Sequence, residues 1–140
     1  MKKINVVAID GPSASGKGAL SRSIAHRFGF DILDSGLLYR LYAFLSHLKI
    51  GIDDISEVIT KDISFVVEDN SVHVIYEGNK ITNQLRSEDI AKIASEHSAK
   101  KEVRELLFDI QRDFYNENGL VADGRDMGTV VFKDAKIKIF

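Results

Sequence analysis

From Asn5 to Asp10 the chain is almost wholly apolar and β-branched. Val6, Val7, Ala8 and Ile9 leave no polar face, the pattern of a strand covered on both sides in a parallel sheet. A glycine-rich loop follows at once, and then the period changes. Leu20, Ile24 and Phe28 recur every four positions and Gly29 offers a stop, which predicts a helix over Lys17–Phe28 that opens on the loop. A second short strand is predicted over Phe30–Gly36, then a strongly apolar helix from Leu37 to Ile50 closed by Gly51. Alternation replaces the helical period in "ISFVVEDNSVHVIYEGNKI". Its two runs rich in Val, Ile, Phe and Tyr, split at Asp69-Asn70-Ser71 and followed by Gly78-Asn79, predict an antiparallel hairpin or small three-stranded sheet. Ser87 reads as an N-cap with Glu88 and Asp89 in the first turn. Ile90, Ile93, Val103, Leu107, Ile110 and Phe114 keep helical spacing in one or two helices to about Asn118. Two further strands are predicted within Gly119–Gly128 and Lys136–Phe140. There is no internal repeat and no low-complexity linker.

Composition narrows the classes. The 140 residues, 44% hydrophobic and 29% charged, suit one globular domain with a real core. A net charge of −2 lacks the basic footprint of a nucleic-acid binder. Without cysteine there is neither a disulfide framework nor a thiolate metal site, and a cytoplasmic location is expected. The run before Asp10 is too short for a signal peptide, and no later stretch approaches a membrane span. His26, His47, His73 and His97 share no metal-ligand spacing and read as structural; Tyr39, Tyr42 and Phe44 read as helix core.

The loop carries the first chemistry. In "IDGPSASGKGAL", Gly11, Gly16 and Lys17 have the spacing of a phosphate-binding loop and stand between a buried strand and a helix, where its mechanism requires them. Glycines let backbone N–H groups turn inward around phosphate oxygens, the helix N-terminus adds partial positive charge, and the lysine reaches the β- and γ-phosphates. The candidate ATP-binding residues are Gly11, Pro12, Ser13, Ala14, Ser15, Gly16, Lys17, Gly18 and Ala19. Gly18 stands where P-loop GTPases and ATPases place the Mg²⁺-holding hydroxyl. The one Asn-Lys pair, at Asn79, is followed by Ile81 and Thr82, not by the aspartate of a guanine-binding motif. Both features point to a phosphoryl transferase acting on a small acceptor.

Three stretches together, "IDGPSASGKG", "LDSGLLYR" and "ADGRDMGTVVFKDAKIKIF", resemble bacterial cytidylate kinases over nearly the whole chain. The resemblance implies an α/β fold with a P-loop NTPase-type parallel sheet flanked by helices and a small antiparallel β insertion. It implies transfer of the γ-phosphoryl of ATP to CMP or dCMP. It places Ser35, Arg40 and Arg125 around the CMP phosphate, and Ser95, Arg104 and Asp126 at the cytosine. Such groups suit the task, since a carboxylate accepts from an amino group and fixed guanidinium groups match phosphate. Asp123, ending the apolar run Leu120–Ala122, resembles a Walker B carboxylate able to order Mg²⁺ brought by ATP or its water; no dedicated metal site is expected. Lys17, Asp123 and Arg125 are the expected catalytic residues.

Taken singly, these residues have plainer readings. Ser35 also reads as a helix cap, Ser95 and Arg104 as ordinary exposed helix positions, and Arg125 and Asp126 as an ion pair at a turn. Ala19 replaces a threonine common in the family, and Lys133 a proline. The expected organisation is an incomplete P-loop kinase domain over 1–140, with 1–62 and 85–140 as core and monophosphate-binding helices and 63–84 as the inserted sheet. The chain stops at "KIKIF", so it is expected to lack the family's lid and C-terminal elements and to be weakly active or inactive. The expected partners are ATP and CMP or dCMP, with no nucleic acid or membrane, and a monomer is expected. Another small P-loop kinase, for shikimate or a different monophosphate, and a non-catalytic nucleotide-binding fragment are the competing readings.

Overall fold

The computed structural model describes residues 2–12, 16–69 and 71–140, and of Lys17 the backbone alone. In chain order the elements begin β1 (Ile4–Asp10), α1 (Lys17–Phe28), β2 (Asp31–Asp34), α2 (Ser35–His47) and α3 (Ile52–Lys61). They continue with β3 (Ile63–Glu68), β4 (Ser71–Tyr76), β5 (Asn79–Lys80), α4 (Thr82–Leu85) and α5 (Glu88–Ser98). The last are α6 (Lys101–Arg112), β6 (Leu120–Gly124), a π-helical turn (Met127–Val131) and β7 (Ala135–Ile139). The chain divides into two compact units, Met1–Gly36 with Gln111–Phe140, and Leu37–Ile110.

The first unit holds a parallel four-stranded sheet in the order β2-β6-β1-β7. Val6, Val7, Ala8 and Ile9 are buried because β1 lies between two strands and is covered on both faces, as its unbroken apolar run predicts. Val7, Ile9 and Val121 form one core cluster, against which Ile24, Ala25, Phe30 and Ile139 pack. The helix after the loop keeps its expected bounds, ended by Gly29 at φ 68° with the Phe30 amide donating to the Ala25 carbonyl.

The second unit contains an antiparallel sheet in the order β3-β4-β5. Its second turn is Glu77-Gly78, both at positive φ (51° and 80°), between the paired residues Tyr76 and Asn79; this is the two-residue geometry whose twist matches a hairpin. Asn70, in the first turn, lies outside the described residues. Ser87 caps α5 as expected, its Oγ accepting from the Ile90 amide at 3.2 Å. His97 rests edge-on against Tyr42 with ring centroids 5.3 Å apart, and burial holds its pKa below the ordinary histidine value.

Three expectations fail here. The apolar helix stops at His47 because Lys49, not Gly51, takes the left-handed position at φ 70°. Lys49 and Ile50 then donate to the Ser46 and Leu45 carbonyls, a Schellman closure built on lysine. Gly51 is freed to precede α3, a helix the pattern had not disclosed, which buries Ile55 and Ile59 one turn apart and carries Asp53 and Asp54 in its first turn. The helices expected to reach about Asn118 end at Arg112; Asn116 then takes over, its side chain accepting from the Asn118 amide, with Gly119 at φ 122°.

Arg112 organises the approach to β7. Its Nη1 donates to the Val131 carbonyl at 3.0 Å and to Asp134 Oδ1 at 2.8 Å, and its guanidinium lies 5.2 Å from the centre of the Phe132 ring. The hydrogen bond from Arg112 holds the Asp134 carboxyl below the usual aspartate range. A carboxyl whose pKa is lower folded than unfolded adds stability above its unfolded value, lost as pH falls through the folded one. Arg112→Met is therefore expected to cost ~1–2 kcal/mol at pH 7, below the upper range for a charged hydrogen bond because the guanidinium is 36% exposed. Melting curves between pH 7 and pH 2 should converge at the acid end; a constant difference across the range refutes the assignment.

Candidate active site

All four strands of the first unit's sheet run parallel, so the C-terminal ends of β1, β2 and β6 lie at one edge, where open α/β sheets place ligands. Ile9 pairs with Asp123, Asp10 with Gly124 and Asp34 with Asp123. The glycine-lysine loop leaves this edge from β1, and the Arg125-Asp126 pair leaves it from β6.

Gly11 is tied across the edge by its amide, 3.2 Å from the Gly124 carbonyl, and Pro12 follows. Ser13, Ala14 and Ser15 lie outside the described residues. Gly16, at φ 85°, directs the chain into α1, a conformation that favours glycine. Among the described residues no side chain caps α1, and its first turn of Lys17, Gly18 and Ala19 carries no acidic residue. Amides at such an end suit an anion. A Cβ on Gly18 would stand 3.2 Å from Arg22 Nη1 and 3.9 Å from Asp123 Oδ2. The place where related loops carry a hydroxyl therefore faces a carboxylate that is only 4% exposed, and glycine leaves that space open.

At the far side of Asp123, Gly124 cannot carry a side chain without displacement, since its Cβ would fall 2.6 Å from Ser35 Cβ. Ser35 opens α2 with its hydroxyl donating to Gln111 Oε1 at 2.6 Å, and both residues are buried. Arg125 and Asp126 are exposed, and among the described residues no ion pair joins them, contrary to the plainer reading of a paired turn. Asp126 adopts φ 59°, uncommon for a non-glycine residue though least costly for Asp and Asn. Its carbonyl accepts from the Val130 and Val131 amides and starts the π-helical turn. Such turns gather at functional sites.

The other unit contains Arg40, Ser95 and Arg104. Arg40 Nη1 donates to the Leu85 carbonyl at 3.0 Å. Arg104, exposed, donates from Nη1 to the Ser98 and Ala99 carbonyls at 3.1 and 2.8 Å, closing the C-terminus of α5. Ser98 Oγ donates in turn to the Ser95 carbonyl, so Ser95 and Arg104 share the end of one helix. One nitrogen is committed in each arginine's printed bonds, and a guanidinium has five N–H donors in all.

Sequence reasoning missed four residues that shape this edge: Asp10, Arg22, Gln111 and Gly124. Arg22 had a local signal, since it lies one helical turn from Gly18 on the same face. The contacts of Asp10, Gln111 and Gly124 are with residues remote in sequence and left none. Among the described residues no group of three or more His, Cys, Asp or Glu is arranged to hold a metal, and no helix is long and apolar enough to cross a membrane.

A parallel sheet whose first strand feeds a Gly-Lys loop and a helix, with an acidic strand end beside that loop, defines a P-loop phosphotransferase type of protein. The family model described as cytidylate kinase matches residues 7–140. The chain is 49% identical to the cytidylate kinase of Marinomonas sp. (strain MWYL1) over 141 residues, covering 96% of this chain and 62% of the relative. It is 46% identical to that of Saccharophagus degradans and 41% to that of Pasteurella multocida, each over 96% of this chain. This chain belongs to the cytidylate kinase family. It spans about 62% of the length of these curated relatives.

Proposed function

We propose that this chain carries the ATP-dependent nucleoside monophosphate kinase chemistry of its family, moving the γ-phosphoryl of ATP to CMP or dCMP and yielding ADP with CDP or dCDP. The observation that carries the reading is the pairing of β1 with β6, which brings the phosphate loop and the Arg125-Asp126 turn out at one edge of the sheet. Loop amides, the N-terminus of α1 and Lys17 bind the β- and γ-phosphates of ATP. Arg125, with Ser35 and Arg40, holds the acceptor phosphate, while Asp126, Ser95 and Arg104 meet the cytosine. A phosphate oxygen of CMP forms the new bond to the γ-phosphorus as the bond to the β,γ-bridging oxygen breaks, and the electron pair leaves with ADP. The acceptor is already an anion at neutral pH, so positioning and charge stabilisation are the protein's main tasks.

Mg²⁺ fits this site in a limited way. Asp123 offers one buried hard oxygen donor facing the first turn of α1, and Gly18 offers no hydroxyl, so Asp123 would hold the ion only together with nucleotide phosphates and water. When bound, Mg²⁺ neutralises charge on the β- and γ-oxygens. The same reading makes the protein a monomeric cytoplasmic enzyme acting on small molecules, in keeping with its net charge of −2.

The test lies in the acceptor base. Uracil has a carbonyl where cytosine has its amino group, and a hydrogen bond to a charged partner contributes roughly 1.5–3 kcal/mol. Asp126→Ala is expected to weaken CMP by about tenfold or more, to leave ATP nearly unchanged and to narrow the preference for CMP over UMP. Titrations with ATP, CMP, UMP, AMP and shikimate check this. Equal losses for CMP and UMP refute the base-reading role, and tighter binding of AMP or shikimate than of CMP by the unmodified protein refutes the substrate.

A further inference from the structure

Asp10 has a second role at the sheet edge besides ending β1. Its Oδ1 accepts from the Met127 amide at 2.6 Å and its Oδ2 from the Gly128 amide at 2.9 Å, across 117 and 118 residues of sequence. Both carboxylate oxygens are thus engaged by the first two residues of the π-helical turn. Its neighbour Gly11 donates to the Gly124 carbonyl, and Asp10 itself pairs in register with Gly124. Gly124 and Met127 are therefore both anchored to residues 10 and 11, and the two residues between them are Arg125 and Asp126. Asp126 is held there at φ 59°. The anchor has little slack: a Cβ on Gly128 would lie 3.4 Å from Asp10 Oδ2 and 3.1 Å from Lys138 Cγ.

We infer that Asp10 is a positioning residue for acceptor binding, its carboxylate fixing the Arg125-Asp126 arch against the start of the phosphate loop so that donor and acceptor phosphates meet in register. This rests on the kinase reading for the identity of the ligands, while the latch itself is independent of it. Misplacing a reacting group by about 1 Å can cost about 10²-fold in rate. Losing the latch therefore reaches the chemistry without removing a group that touches either nucleotide.

The experiment compares the unmodified protein with Asp10→Ala, Asp10→Asn and Asp10→Glu, using amide hydrogen exchange, calorimetric titration with ATP and with CMP, and steady-state turnover. Asp10→Ala is expected to speed exchange at Met127 and Gly128 by about tenfold or more, to weaken CMP by a similar factor and to lower kcat by about 10²-fold, with ATP affinity within about threefold. Asp10→Asn keeps one acceptor and turns its NH₂ toward the other amide, so it should fall between. If Asp10→Ala does not fold, Asp10→Asn carries the same comparison. Unchanged exchange at Met127 and Gly128 overturns the latch. Faster exchange with unchanged CMP affinity and kcat, or equal losses for ATP and CMP, overturns the positioning role. A protein that binds no CMP before substitution overturns the kinase reading and the acceptor role with it, and exchange at the two amides still decides the latch.

Discussion

Replacing Lys17 with alanine is expected to lower kcat/KM for ATP by about 10²-fold or more while the melting temperature changes little. Lys17 is the only cation between Gly11 and Ala19, and it stands at the first position of α1. The backbone amides of the loop and of the helix start survive the substitution, so some affinity for phosphate should remain. What is lost is a charge aimed at oxygens that become more negative during transfer, and removing one preorganised donor at such a position costs about 10²–10³ in kcat. Calorimetry with ATP and a coupled turnover assay check the expectation. A variant that binds ATP and turns over as before removes the loop from the mechanism.

Arg125→Ala is expected to lower kcat by about 10³-fold, the lower end of the ~10³–10⁵ range for an arginine on a transferring phosphoryl group. Arg125 follows directly on Gly124, whose lack of a side chain lets Ser35 pack against it, so the guanidinium leaves from the tightest point of the sheet edge. Arg125→Lys keeps the charge and loses the planar fork that engages two oxygens at once, and should recover only part of the rate. Saturating both substrates separates the cases. A full kcat in Arg125→Ala with only a raised KM for CMP reduces the residue to a binding contact.

The parts of the fold legible in sequence are those written in short-range period. β1 is readable because four successive apolar residues have no alternative, and α1 because Leu20, Ile24 and Phe28 sit four apart between two glycines. The hairpin sheet is readable from alternation and from Glu77-Gly78. Helix α3 was hidden by Gly51, a residue with two opposite uses: it can close a helix or precede one, and the choice was made by Lys49 adopting a left-handed conformation that a lysine seldom takes. At the candidate site, the Gly-Lys loop and the Arg125-Asp126 pair stand out as local strings. The roles of Asp10 and Gln111 do not, because a carboxylate that accepts from two distant amides, or an amide side chain that accepts from a distant serine, leaves no trace in its neighbours.

The π-helical turn at Met127–Val131 has a consequence for insertions and deletions. An i to i+5 turn is an α-helical turn holding one residue too many, and here the extra length closes through the Val131 amide on the Asp126 carbonyl and the Phe132 amide on the Met127 carbonyl. Removing the exposed Thr129 would let the segment relax to α-helical spacing, and each residue beyond it would turn by about 100° about the local axis. Phe132 would swing away from the Arg112 guanidinium, and Asp134 with it. An exposed position whose side chain is freely replaceable is thus one whose presence is not: the gene can vary the letter at 129 but not the count.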